Sequence, residues 1–246
     1  MSVNYFLTGT VFTNDPDSGK VAISNSDVKL LAENDLVLDE AFADQDGRFR
    51  FRVYPDETYQ LRGEKENFFS TRKIFSTIGK SVNKDSLTAF NTTVEFDTEI
   101  LLEKIIIDKP IVLSDIYYDL DKATIRSDAE RVLDSLVMIM NDNPNIYIEL
   151  SSHTDSRADD DYNMDLSIRR AKAAAVYIVI KGISRERVFF KGYGESKLLI
   201  KDAKSEEEHQ INRRTEFKVL RYDSEKKSNE QDDYVRFFEN SKEGLN

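Results

Sequence analysis

The sequence predicts two domains: an N-terminal all-β sandwich, then a C-terminal α/β sandwich. The second is expected in β-α-β-α-β-β order, as a mixed sheet with helices on one face. Three observations predict this. Up to about residue 104, short alternating apolar runs are divided by Gly, Pro, Asn and Asp clusters, the pattern of packed antiparallel strands. From about 108, two longer segments repeat apolar residues every three or four positions, separated by strand-like runs. Beyond Arg221 the chain turns polar and loses periodicity. The resulting boundaries are 1–104, 105–222 and 223–246, the last read as a flexible tail.

In the first domain, Tyr5 to Phe12 forms a strand stopped by the turn cluster Asn14-Asp15-Pro16-Asp17-Ser18-Gly19. Val28 to Leu31 is a second strand, and Asp44-Gln45-Asp46-Gly47 carries the signal of a hairpin turn. Arg48-Phe49-Arg50-Phe51-Arg52-Val53 alternates strictly, so one face is apolar and the other cationic. A turn at Tyr54-Pro55-Asp56-Glu57 leads to a strand over Tyr59 to Gly63, and 68–78 and 92–107 supply further strands.

The second domain opens on a strand over Ile111 to Tyr118. Ser127-Asp128-Ala129-Glu130 has the form of a capping box. Val132, Leu133, Leu136, Ile139 and Met140 then follow at helical spacing, and Asn143-Pro144 ends the helix. Ile146 to Leu150 is a strand. A second helix runs from about Asn163 to Lys181 and closes at Gly182, a residue suited to a left-handed cap. Val188-Phe189-Phe190 and Thr215 to Val219 complete the sheet.

Composition narrows the function classes. The 246 residues carry a net charge of -11, the wrong sign for gripping nucleic acid or an anionic membrane, which needs clustered Lys and Arg. The absence of cysteine excludes disulfides, thiolate metal sites and thiol catalysis. With only His153 and His209 besides, no zinc site is expected, and no cofactor. No window approaches the roughly 18 apolar residues of a membrane helix. The start lacks the basic-then-apolar pattern of a signal peptide. Met1 leads almost directly into a strand-like run, as in a piece cut from a longer protein or in a short cytoplasmic one.

The most informative stretch is Ser152-His153-Thr154-Asp155-Ser156-Arg157, followed by Asn163 to Ala171. Asp155 lies in a strand-to-helix loop, where open α/β sheets place their binding crevices. Arg170 lies about two turns into the following helix, and helical side chains lean back toward the N-terminus. A carboxylate that accepts from an ammonium, with a guanidinium fork that grips a carboxylate, is an arrangement for a zwitterion. No nucleophile is paired with a base, so the pattern points to binding.

The second domain resembles the OmpA-like peptidoglycan-binding domain of outer-membrane proteins, Pal-type lipoproteins and flagellar stator subunits. Five motifs carry the resemblance in order: Tyr118 to Ile125, Ile148 to Asp155, Asn163 to Ala171, Lys191 to Ser196, and Asn212 to Phe217. It implies a non-catalytic domain that binds the diaminopimelate of the peptidoglycan stem peptide. Asp155 then takes the place of the family's ligand-binding acid and Arg170 that of its arginine. Thr154 and Asn163 become polar wall residues, Asp119 belongs to the first strand-to-helix loop, and one of Arg213 and Arg214 adds charge at the rim. Arg157-Ala158-Asp159-Asp160-Asp161 departs from the family, where many members have a glycine and fewer acids.

The first domain resembles, less specifically, the carboxypeptidase regulatory-like or transthyretin-like β-sandwich, on Leu7 to Val11, Val28 to Leu31, Asp46 to Phe51 and Tyr59 to Gly63. Such domains act as spacers or docking modules. The domain order resembles peptidoglycan-tethering proteins of Bacteroidota, among them subunits of the type IX secretion and gliding apparatus. The implied location is the periplasm, at the outer membrane and cell wall. The expected partners are the stem peptide and other envelope or secretion-complex proteins, and no nucleic acid.

Each residue also has a plainer reading. Asp155 could be a loop or cap acid, Arg170 a surface helix residue, and Arg213 and Arg214 the solubilising charges of a strand edge. His153 reads as a buried strand-end histidine bonded to backbone. A cell-wall enzyme built on Ser152, His153 and Asp155 is disfavoured, because strand neighbours alternate faces and cannot readily form a relay. A structural interaction module of an envelope complex, with weak or no wall binding, is the alternative function.

Overall fold

A computed structural model describes residues 2–82, 90–113, 125 and 127–223. Asp119 with most of its motif, the side chain of Ser127 on which the expected capping box rests, and the tail from 224 lie outside the described residues.

Among the described residues, eight strands of the N-terminal half form two four-stranded sheets. In one, β1 (Ser2–Asp15) pairs antiparallel with β5 (Arg48–Val53), and its far end pairs with β2 (Gly19–Ala22). On its other side β8 (Asn91–Leu101) runs parallel to it, from Ser2 opposite Asn91 to Phe12 opposite Leu101. The other sheet has the order β4 (Val37–Phe42), β3 (Asp27–Leu31), β6 (Thr58–Glu64), β7 (Thr71–Ser76), all antiparallel. The alternation read in β5 is realised: Phe49, Phe51 and Val53 are buried while Arg48, Arg50 and Arg52 are exposed. Leu7, Val11, Val28, Leu30, Phe51, Leu61 and Ile100 fill the space between the sheets.

The hairpin expected at Asp44–Gly47 does not form. The Asp44–Gly47 turn forms, with Gly47 at φ +74° and the Asp44 carboxylate accepting from the Asp46 and Arg48 amides. Its flanking strands do not pair, however: β4 belongs to one sheet and β5 to the other. The chain crosses between layers at this turn, so it is a corner and not a hairpin. Strand β4 was not predicted because nearly every position in it is exposed, which leaves no alternating pattern.

The C-terminal half builds a mixed sheet in the order β11 (Val188–Gly192), β10 (Ile146–Ser152), β12 (Thr215–Tyr222), β9 (Ile111–Leu113). β10 and β11 are parallel, and the other pairs are antiparallel. Ile146, Ile148, Leu150, Phe217 and Val219 share a core with Ala129, Leu133, Leu136 and Met140 of α1 (Ser127–Asp142) and Ala174 and Ile178 of α2 (Asp160–Ile180). The other sheet face carries half-buried Tyr147, Glu149 and Lys218, so both long helices cover one face.

A third helix, α3 (Glu206–Asn212), stands between the last two strands where none was expected. A capping box starts it: Ser205 accepts from the Glu208 amide and the Glu208 carboxylate accepts from the Ser205 amide. The strand-edge reading of the Asn212–Arg214 run also fails, since β12 lies between β10 and β9 and Asn212 is fully buried.

Three arginines complete the C-terminal end of α1. Arg187 donates to the Met140, Asn143 and Ile146 carbonyls, at 2.8, 2.7 and 3.0 Å. Arg62 and Arg72 reach Asp142 from the sandwich. Cations there satisfy orphan carbonyls and oppose the negative end of the helix dipole.

Candidate functional site

Five elements converge at one end of the C-terminal sheet. β10 and β11 are parallel, so their C-terminal ends lie together. β12 is antiparallel to β10 and begins there, with Thr215 opposite Ser152. The N-terminus of α2 follows from the β10 loop, and α3 delivers Arg213 and Arg214 to the start of β12.

Backbone bonds lock these loops together. The Thr154 amide donates to Gly194 O and the Tyr193 amide to Ser152 O, at 2.9 and 3.0 Å. Ser167 of α2 accepts from the Gly194 amide at 2.9 Å. The contact is so close that a Cβ on Gly192 would lie 2.4 Å from the Ile168 nitrogen and 2.5 Å from Ser167 Oγ. Only glycine lets β11 pass α2 at that distance. Asn212 braces the opposite side, accepting from the Leu199 and Ile200 amides and donating to Ile200 O.

Asp155 is 7% exposed. Its Oδ2 accepts from Arg157 Nη2 at 2.7 Å, Arg157 Nε at 3.1 Å and Arg213 Nη1 at 2.6 Å. Oδ1 accepts from the Arg157 amide at 3.3 Å. Burial pushes the carboxyl pKa up, but the two guanidiniums outweigh it and hold it below the ordinary range. Glu206 closes the group, accepting from Arg213 at 2.5 Å and Arg157 at 2.8 Å.

Of the other expected residues, Thr154 precedes Asp155 in the chain, and Asn163 and Arg213 bond to it. Thr154 is buried, and its Oγ1 has no hydrogen-bond partner among the described residues. Asn163 is buried on the first turns of α2, and its Nδ2 donates to Asp155 O, Ala158 O and Glu195 Oε2. Arg170 is also buried, seven residues on and so on the same stripe as Asn163, Leu166 and Ser167. Asp159, Asp160 and Asp161 are exposed at the start of α2, where negative charge favours the helix dipole.

Of the two rim arginines, Arg213 stands on Asp155 and Arg214 does not. Arg214 donates from Nε to Glu216 Oε1 at 2.6 Å. His153 is buried as expected, but neither ring nitrogen has a well-formed hydrogen bond, which corrects the backbone bond expected of it. Its ring stacks on Tyr193, with centroids 5.2 Å apart, and Nε2 lies 3.4 Å from Glu216 Oε2. The imidazole, against the upward push of burial, and then the Arg214 guanidinium hold the Glu216 carboxyl at about 2. Of these two partners, Arg214 makes the aligned bond.

No catalytic relay forms from Ser152, His153 and Asp155. The Ser152 hydroxyl bonds Thr215 Oγ1 at 2.9 Å, His153 faces Tyr193 and Glu216, and Asp155 faces the arginines. Among the described residues no group of three or more His, Asp and Glu could hold a metal ion. No described helix is long and apolar enough to cross a membrane.

Three participants were missed in the sequence. Arg157 sits in the loop that departs from the family. Glu206 belongs to a helix whose signal, Ser205 three residues before Glu208, was available and unused. Glu195 lies inside a recognised motif but reaches Asn163 only through the fold.

Residues 117–213 match the model of the OmpA family. Over 109 residues, 42% of its length, the chain is 36% identical to 12% of a photosystem I P700 chlorophyll a apoprotein A2 of Gloeobacter violaceus. Over 82 residues, 33% of its length, it is 35% identical to 47% of a peptidoglycan-associated lipoprotein of Rhizobium meliloti. Over 112 residues, 46% of its length, it is 30% identical to 57% of an outer membrane protein A of Bordetella avium. The chain thus spans 12%, 47% and 57% of these three relatives. Among solved structures it is similar to the peptidoglycan-associated lipoprotein of Burkholderia pseudomallei: 21% identity, 42% of this chain, 87% of that one, TM-score 0.40.

Proposed function

We propose that this protein is a non-catalytic anchor to the cell wall, whose OmpA-family domain binds peptidoglycan through the diaminopimelate of uncrosslinked stem peptides. Asp155 takes the ligand ammonium and Arg170 its carboxylate. Thr154 and Asn163 line the pocket, Arg213 supplies charge at the rim, and Asp119 contributes from the first loop. The observation that carries this reading is a buried carboxylate where three strand ends meet the start of α2, beside a buried hydroxyl with no hydrogen-bond partner among the described residues. Ligand crevices form at such sheet ends, and buried polar atoms call for partners. The match to the OmpA family and the likeness to a peptidoglycan-associated lipoprotein support it.

The N-terminal sandwich then serves as a carboxypeptidase regulatory-like docking module toward other envelope proteins, in the periplasm at the outer membrane. Assignment to a Bacteroidota machine of the type IX secretion and gliding kind rests on domain order alone. A second reading, an envelope interaction module with little wall binding, is favoured by the engagement of Asp155 with two arginines.

Co-sedimentation with purified sacculi tests the proposal. The wild type should pellet with them, while Asp155→Ala and Arg170→Ala remain folded in solution. Each change leaves one ligand charge unpaired, at a cost on the order of 2–5 kcal/mol of binding. Binding unaffected by either change rejects the site, and released muropeptides reject the non-catalytic reading.

A further inference from the structure

Asp155, Arg157, Glu206 and Arg213 form a closed ring of alternating charge. Asp155 Oδ2 already receives three N–H donors, where a carboxylate oxygen offers about two lone-pair directions. A ligand ammonium cannot reach that oxygen without displacing one of them.

The two arginines are not equally held. The Arg213 side chain is 22% exposed and donates also to Glu206 and Gln210. The Arg157 side chain is 50% exposed, and its second partner, Glu206, is 63% exposed. Half-exposed ion pairs are held weakly, so Arg157 is the donor that yields. Glu206, already bonded to its Nη1, gives the displaced guanidinium a place to remain.

We propose that Arg157 is a built-in competitor that occupies the ammonium position on Asp155 and sets the ligand affinity and cation selectivity of the pocket. This rests on the ligand reading above. At Asp155 Oδ2 a ligand gains only the difference between its own ammonium and the Arg157 guanidinium. Cationic groups that make a single poorly aligned bond are thereby rejected, and ammonium groups held in place by a second contact elsewhere are admitted.

The test measures binding of a purified diaminopimelate-containing muropeptide by calorimetry to the full chain and to Arg157→Ala, each with and without Asp155→Asn. Thermal unfolding of each variant is recorded alongside. The expected result is roughly fivefold tighter binding for Arg157→Ala, with Asp155→Asn abolishing binding in both backgrounds. Unchanged or weaker binding by Arg157→Ala, with wild-type binding still dependent on Asp155, overturns the competitor role. It would leave the ligand reading standing and make Arg157 a positioning residue. Absence of binding by both the wild type and Arg157→Ala overturns both.

Discussion

Arg72 Nε donates to both carboxylate oxygens of Asp142, at 2.8 and 2.9 Å, and so ties an edge strand of the sandwich to the C-terminal end of α1. The pair is mostly shielded, with side-chain exposures of 27% and 11%. Burial lowers the arginine pKa, yet Asp142 and Asp35 together leave it raised. The Ser70 amide donates to Asn143 Oδ1 nearby, and Phe69 packs against the C-terminal core. The two halves are therefore joined by a polar clamp as well as by chain.

Arg72→Ala should cost about 1.5–3 kcal/mol, because it strands a charge-assisted acceptor in a shielded place. Limited proteolysis should cut the variant faster between the halves, while sacculus binding stays unchanged. Equal proteolysis rates and unfolding midpoints would remove the clamp from the account.

At Gly192 the expected outcome is a coupled loss. Gly192→Ala forces the added methyl against the α2 backbone, and overpacking of this kind costs about 1–3 kcal/mol. Because α2 carries Asn163 and Arg170, binding should weaken along with stability. Chemical denaturation and a sacculus assay on the same preparation check both. A fully stable Gly192→Ala would show that the helix can retreat.

How much was legible in advance follows from what kind of signal each element leaves. The Phe49, Phe51 and Val53 face was readable because burial on one side of a strand writes itself as alternation. So was the stripe of α1. Asp155 and Arg170 were singled out because they flank a strand-to-helix junction, and Asn163 because the motif it opens resembles that of the OmpA-like domain. Strand β4 left no pattern, since it is exposed along its length, and the sheet to which β5 belongs depends on non-local pairing with β1. The Asp44–Gly47 turn has hairpin chemistry but corner topology. Arg157 and Glu206 lie 49 residues apart and meet only through α3. The choice of Arg213 over Arg214 likewise required the register of β12.

Acid should weaken the fold through Glu216. Its carboxyl ordinarily titrates near 4.5 and is held at about 2 in the folded state. A depressed folded pKa gives stability that is fully present above the unfolded value and lost as pH falls from about 4.5 toward 2. The lowered carboxyls of Asp155 and Glu206 act in the same direction. Glu216→Gln should flatten this acid limb in denaturant melts taken from pH 6 to pH 2, and it should cost stability at neutral pH by unpairing Arg214. An unchanged acid limb would assign the loss to other groups.

Thr154→Val separates binding from folding. The hydroxyl is buried without a hydrogen-bond partner among the described residues, so replacing it by a methyl of similar shape should leave stability within about 1 kcal/mol of wild type or raise it. If the hydroxyl lines the pocket, muropeptide affinity falls severalfold. A destabilised variant would mean that the hydroxyl has a structural bond.

On the proposed function, the pocket recognises both charges of a zwitterion, one at Asp155 and one at Arg170. Amide chemical-shift titration measures it most directly, using two muropeptides that differ only in carrying diaminopimelate or lysine at the same position. Lysine keeps the ammonium and lacks the distal carboxylate. Saturable shifts are expected at Thr154, Asp155, Asn163 and Gly194 with diaminopimelate, and at least about tenfold weaker binding with lysine, roughly 1.4 kcal/mol or more. Equal affinity for the two, or shifts confined to other parts of the chain, would contradict it.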